Sequence, residues 1–450
     1  PSMLFTTVLM TSALLTGTTP FIAASAGCGQ AHCDAQLSDR AGLAPPGAGA
    51  QVLWHDAAAA GSNYALGCSS NGRRVACSFG LLPAPGPYLV VYNSQGQRLW
   101  SSDELGAGAA SSAPIIGAAG HVIAADESAI YRFNARGQRI WRHDLGSQSG
   151  LPISPVLTTG GLLGYATSGG LVGAVDSADG LGTQRSLDAT ISGFSGVFVT
   201  RNTPASRGNR IYVVAEFEPD RPIAASRIGQ PARLYALDIS KSQINVAWFV
   251  DVGGRSGASP TVSGDMIFFD ADRQSATGPD APHFFAVRDV GSSGQLVYAH
   301  PLTSQSVLPS GSGGALASAA HDPRGGLWLF TSGSPYLVRL SETPAGGRAS
   351  VLSAINLQSL LGASAQPSSA ITLADGPNGP VALMTALVGA RTHWLAIDLV
   401  SGTLVNNVDL GAGLSTWSAA QSALVRVPGS NRTRAVLSTF SGGVVGIGTP

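Results

Sequence analysis

The chain has 450 residues, equal numbers of basic and acidic side chains (26 each), and a charged content of only 12%. That neutrality argues against nucleic acid as a partner, because polyanion binding needs a clustered basic excess. Gly (58) and Pro (27) cut the 44% hydrophobic content into short runs, the pattern of strands and tight turns rather than of long helices.

Residues 4–26 carry an apolar stretch, then Pro20, then the triplet Ala24-Ser25-Ala26. This is the A-x-A shape cut by signal peptidase, so 1–26 is predicted to be an export signal and Gly27 the mature N-terminus. A signal peptide normally begins with Lys or Arg, and none precedes Arg40. Thr, Gly and Pro interrupt the apolar run, which argues against a stable transmembrane span. Ala26-Gly27-Cys28 has a partial likeness to a lipoprotein site, making Cys28 a candidate lipid anchor. The predicted location is exported: periplasmic, cell-surface or extracellular.

Residues 27–50 form a Gly/Pro-rich lead with Cys28 and Cys33. Cys68 and Cys77 flank Ser69-Ser70-Asn71-Gly72, and Asn-Gly is a strong hairpin signal. Four cysteines after an export signal predict two disulfides, Cys68–Cys77 and Cys28–Cys33. The spacings lack the paired ligands of a structural zinc site.

From residue 51 onward a unit recurs: a small-residue and proline opening, two strands around a Gly turn, a third strand ending in Asp or Asn, a turn glycine, and a fourth strand with an aromatic. Third strands end at Asn93, Asn134, Asp176, Asp238 and Asp398; openings include Ser112-Ala113-Pro114, Ser154-Pro155 and Ser259-Pro260. Fourth strands are predicted at Trp54, Trp100, Trp141, near Gln184, Trp248, Tyr298, near Leu352 and near Val405. That count predicts an all-β, eight-bladed propeller over 51–450, built from four-stranded antiparallel blades. Three strands (422–427, 434–440 and 444–447) end the chain without a fourth, and the segment around Trp54 stands without three before it. The two fragments are predicted to pair and close the ring, removing the open edges of a linear array.

These repeats resemble pyrroloquinoline-quinone-type propellers over roughly residues 50–448. That family includes quinone-dependent alcohol dehydrogenases and also non-enzymatic members such as the propeller lipoprotein of the outer-membrane barrel-assembly machinery. The resemblance implies a fold, and fold does not fix function. Dehydrogenase members carry a vicinal cysteine pair, a tryptophan platform, a catalytic Asp and carboxylates for calcium. This chain has no adjacent cysteines, which favours the non-enzymatic branch. No cofactor is predicted; calcium and pyrroloquinoline quinone are those an enzymatic member would bring.

The candidate chemistry is sparse. His55 and His143 occupy equivalent repeat positions, while His121, His283, His300, His321 and His393 are scattered without metal-ligand spacing. Asp126-Glu127 and Glu216 to Asp220 are the main acidic clusters. The second lies in a longer fourth unit, about 193–252, with Arg221, Arg227 and Arg233 close by to pair with the acids. Residues 216–233 are predicted to be a mobile loop, and long loops often carry function. Glu216, Glu218, Asp220, Arg221 and Arg227 are therefore the candidate binding residues. The expected function is a binding or scaffold module that presents a propeller face to a protein or glycan. The alternative is an enzyme using the axial funnel, a polysaccharide lyase or a quinone-dependent oxidoreductase.

Overall fold

The computed structural model describes residues 21–57, 67–80, 86–146, 150–220, 231–254, 258–273, 281–302, 318–331, 334–412, 416, 418–440 and 442–450. Helix among them is limited to a 3-10 turn at Ala107–Ser111 and a short α-helix at Leu357–Leu361. No helix of the described residues is long and apolar enough to cross a membrane.

Strands pair antiparallel, mostly with their neighbours in sequence, because each is followed by a tight turn. Four four-stranded sheets are continuous in the chain: 68–102, 115–144, 156–186 and 320–356. A five-stranded sheet spans 365–412. A ten-stranded sheet contains two successive four-strand units, 205–253 and 261–301, linked by the single bridge Gly253–Asp272. On its edge, the hairpin of Asp188–Ile191 and Phe194–Val199 lies against Arg210–Pro219. The remaining sheet is discontinuous: Ala423–Arg426, Thr433–Ser438 and Val444–Gly448 take Gln51–Asp56 as their fourth strand. Every fourth strand predicted from the sequence is present, including those at Gln184, Leu352 and Val405.

The fourth strands share a feature finer than the sequence pattern. Arg98 and Trp100 pair with Tyr92 and Val91, so Leu99 is left out as a bulge. The same one-residue skip falls at Leu53, Ile140, Ala247, Val297, Leu352 and Val405. A bulge re-aims the next side chain; in five of these strands that residue is Trp or Tyr, and in the other two it is Ser353 or Asn406. Trp100 covers Gly137, where an added Cβ would stand 2.8 Å from the indole; Trp141 covers Gly180 in the same way. Trp54 covers Gly96, and Trp248 lies against Gly294. Gly137 also has φ +83°, a region that costs other residues roughly 1–2 kcal/mol. The exception is the strand Gly182–Ser186, which pairs without a skip and carries Gln184 instead of an aromatic.

Hydrophobic clusters form between successive sheets. Ala76 and Val91 of the first unit pack with Ile116, Ala124 and Phe133 of the second. Val75 and Val90 likewise pack with Val425, Val436 and Val444 from the end of the chain.

Candidate functional site

Cys68 and Cys77 are register partners across their hairpin and are disulfide-bonded, as expected, and Cys28 is bonded to Cys33.

The fourth unit differs from its prediction. Glu216 and Glu218 lie inside the strand Arg210–Pro219, Glu216 paired with both Val199 and Ala232, and Glu218 with Val197. The extra length of this unit builds a hairpin and long strands, so 216–219 and 231–233 are not loop. Asp220 N–H donates to Ser195 O at 3.0 Å. Arg221 and Arg227 lie outside the described residues. Arg233 bonds Asp251 (2.7 Å) rather than the expected acids. Its guanidinium stacks 4.0 Å from the Phe249 ring centre and 4.6 Å from that of Phe198, a cation–π clamp on the added hairpin.

Asp126 and Glu127 line a cavity of about 430 Å³ with Glu104, Tyr131, Arg139 and Arg142. Their oxygens are engaged by backbone donors: Gly106, Ser128 and Ala129 N–H to Asp126, and Gly108 N–H to Glu127, all within 2.7–2.8 Å. They brace two loops and are poorly placed for proton transfer. The histidines gather into no metal-binding group among the described residues, although His283 and His300 lie on adjoining strands. His143 Nδ1 meets Gly180 O, His121 meets Arg132, and His321 meets Ser263 and Glu342. Burial lowers the proton affinity of His121, His143 and His300. Among the described residues, no group of three His, Cys, Asp or Glu could hold a metal ion.

What converges is the segment from Phe21 to Leu43. Its backbone carbonyls accept from the first strand of unit after unit: Gly27 O from Leu424 N–H (3.0 Å), Cys28 O from Ser70 (2.7 Å) and Gly29 O from Ile116 (2.8 Å). Gln30 Oε1 accepts from Leu157 N–H at 2.9 Å. Further on, Ala35 O accepts from Ser206, Gln36 O from Val262, Ser38 O from His321 and Asp39 O from Leu373. One short segment can reach all these strands only where they come together, so it fills the axis and acts as a plug. Its path is sharply turned. Cys28, His32, Cys33, Leu37 and Asp39 all take positive φ, between +53° and +76°, and the Cys28–Cys33 bond closes the tightest part.

Inside the plug, Asp39 meets His32 Nδ1 at 3.0 Å, and His32 Nε2 meets Ser318 Oγ at 3.1 Å. Asp34 accepts from Gln36 and Ser38 N–H at 3.0 Å. Burial raises the pKa of both carboxyls, against the lowering effect of His32 on Asp39 and of Ser38 on Asp34. The order Ser–His–Asp is that of a nucleophilic triad. However, Ser318, His32 and Asp39 are 1%, 4% and 0% exposed, so the chain of bonds acts as a tie between plug and wall. The sequence reading passed over His32 and Asp39. The available signal was the density of Gln30, His32, Asp34 and Asp39 around a cysteine pair. The structure also places residues 21–26, expected in the export signal, within the plug: Phe21 and Ala24 are buried.

No family model matches the chain, and no curated relative matches it in sequence. Solved structures do match in shape. A quinohemoprotein alcohol dehydrogenase from Comamonas testosteroni aligns with TM-score 0.53 and 12% identity, over 95% of this chain and 82% of the other. The quinohemoprotein alcohol dehydrogenase ADHIIG from Pseudomonas putida HK5 gives 0.53 and 10%, over 95% and 81%. The Dos1 propeller gives 0.53 and 10%, over 89% and 96%. At these identities the likeness is one of fold: the chain is an all-β propeller.

Proposed function

We propose that the chain is an exported, eight-bladed propeller of the non-enzymatic branch, serving as a binding or scaffold module for a protein or glycan. In this reading the ten-stranded sheet is two blades, and Gln51–Asp56 closes the ring. Support for closure comes from both sides of that strand: it pairs with Val444–Gly448, while Asp56 bonds Arg98 and Tyr92 of the first unit. Two disulfides suit an oxidising compartment. In this reading Cys28 is held in its bond to Cys33 and carries no lipid.

The observation that carries the binding role over an enzymatic one is the plug. A quinone with calcium would need an open axis, a stacking platform and free carboxylates there. In this chain the axis holds Gly27 to Asp39, and Asp34 and Asp39 are bonded within that segment. These residues do not fit the group. Binding then falls to the outer faces, and the face carrying Glu216, Glu218 and Asp220 has the added hairpin. Arg221 and Arg227 belong to this proposed surface by sequence.

Photo-crosslinkers placed at Glu218 and at Arg136, at opposite ends of the sheets, test this. Specific adducts with a protein or glycan partner are expected from Glu218 and not from Arg136. Saturable quinone binding with calcium, accompanied by alcohol-dependent dye reduction, would overturn the reading.

A further inference from the structure

We infer that Phe21–Ala26 is part of the folded protein and that the Ala24-Ser25-Ala26 triplet is not cut, so any processing falls N-terminal to Phe21. A peptide that is cleaved away has no reason to fit the fold, and this one fits in detail. Phe21 is 4% exposed and belongs to a cluster with Ile115, Ile123 and Trp141. The Arg132 guanidinium stands 5.5 Å over its ring, while Arg132 itself is buried and donates to Ser177 O at 2.6 Å.

The backbone is engaged as well. Ala24 N–H donates to Ile116 O at 3.1 Å, Ala118 N–H donates to Ile22 O at 3.3 Å, and Ala23 bridges Gly117. The approach is close at Gly117, where an added Cβ would lie 3.1 Å from both Ile22 O and the Phe21 ring. Cleavage after Ala26 would remove these contacts and put an ammonium group on Gly27. That residue is buried, and its N–H donates to Ala41 O at 2.6 Å. A charge placed there would need resolvation or a new partner.

The inference does not depend on export, and its test separates the two. Chains beginning at Phe21 and at Gly27 are produced in an oxidising cytoplasm, with full-length Phe21→Ala beside them. The Phe21 start should match the full chain in melting temperature. The Gly27 start and Phe21→Ala should each melt lower, by on the order of 5 °C, or fail to fold. Unchanged melting of Phe21→Ala or of the Gly27 start would overturn the inference. For the exported chain, intact mass should place the N-terminus at or before Phe21; a folded product that starts at Gly27 would overturn it too.

Discussion

The rim and the axis of this propeller hold the same sheets together by opposite means. At the rim the device is repeated: a bulge, an aromatic, and a glycine in the next unit, seen at Trp54–Gly96, Trp100–Gly137 and Trp141–Gly180. At the axis the device is used once: an irregular, disulfide-closed segment bonded in turn to strands of successive sheets. Rim contacts join neighbours in pairs and so behave as local terms. The plug is shared by all units, so a change there is felt around the whole ring.

The largest single-residue effect is expected where the two devices overlap in consequence, at Trp54. It sits on the strand that pairs with the chain's end, stacks on Tyr92 and covers Gly96. Trp54→Ala should cost about 3–5 kcal/mol in denaturant unfolding. Trp100→Ala should cost less, because the units on both sides of it are covalently consecutive. Gln184→Ala, in a unit with neither bulge nor aromatic at this position, should cost about 1 kcal/mol, the worth of its hydrogen bond with the Tyr165 hydroxyl. Equal losses at all three positions would break the idea of a repeated rim device.

Next come the disulfides. Replacing Cys28 and Cys33 by Ser should cost about 2–4 kcal/mol, since five left-handed residues then depend on hydrogen bonds alone. Replacing Cys68 and Cys77 should cost less, because strand pairing holds their hairpin in register. Melting curves of the two double variants give the order, and the reverse order would show that the axis carries no special load.

The smallest effect expected is one of pH. A hydrogen bond from His321, helped by Gly326 N–H and the Ser263 hydroxyl, holds the Glu342 carboxyl down to about 2 against its burial. An unfolded Glu titrates near about 4.3, so this contribution is complete above that pH and is lost as pH falls toward 2. Partial exposure limits it to about 1 kcal/mol. Asp34 and Asp39 behave oppositely, since burial raises both and acid relieves them. Hydrogen exchange should therefore show the Gly326 amide losing protection below pH 4 while those of Ser206 and Val262 keep theirs. Glu342→Gln should remove the difference, and early loss at Ser206 and Val262 would contradict it.

The rim was legible in the sequence because it repeats. Trp100-Ser101 and Trp141-Arg142 announce themselves by recurrence, and even units without an aromatic could be located from spacing. The bulge was not legible, because a one-residue skip changes pairing without changing composition. The plug was hidden for another reason. It occurs once, has no period, and its short Gly, Ala and polar residues look like a linker until the strands around it are known. In the fourth unit, Pro219 and the neighbouring charges read as loop, yet tertiary pairing drew Glu216–Pro219 into a strand.

The plug also has a consequence for how the ring is made. The segment at its centre comes from the start of the chain, while Leu424, which bonds Gly27, lies near the end. In the proposed closed ring the sheets surround this hub, and the last of them can take its place only when both ends of the chain have met. Contacts between residues some 394 positions apart, such as Cys28 with Ser422, then form only with that last sheet. Such distant pairings make folding slow. They also make it conditional: a chain that stops short of its final sheet leaves the hub half wrapped, with the walls of the first unit bare.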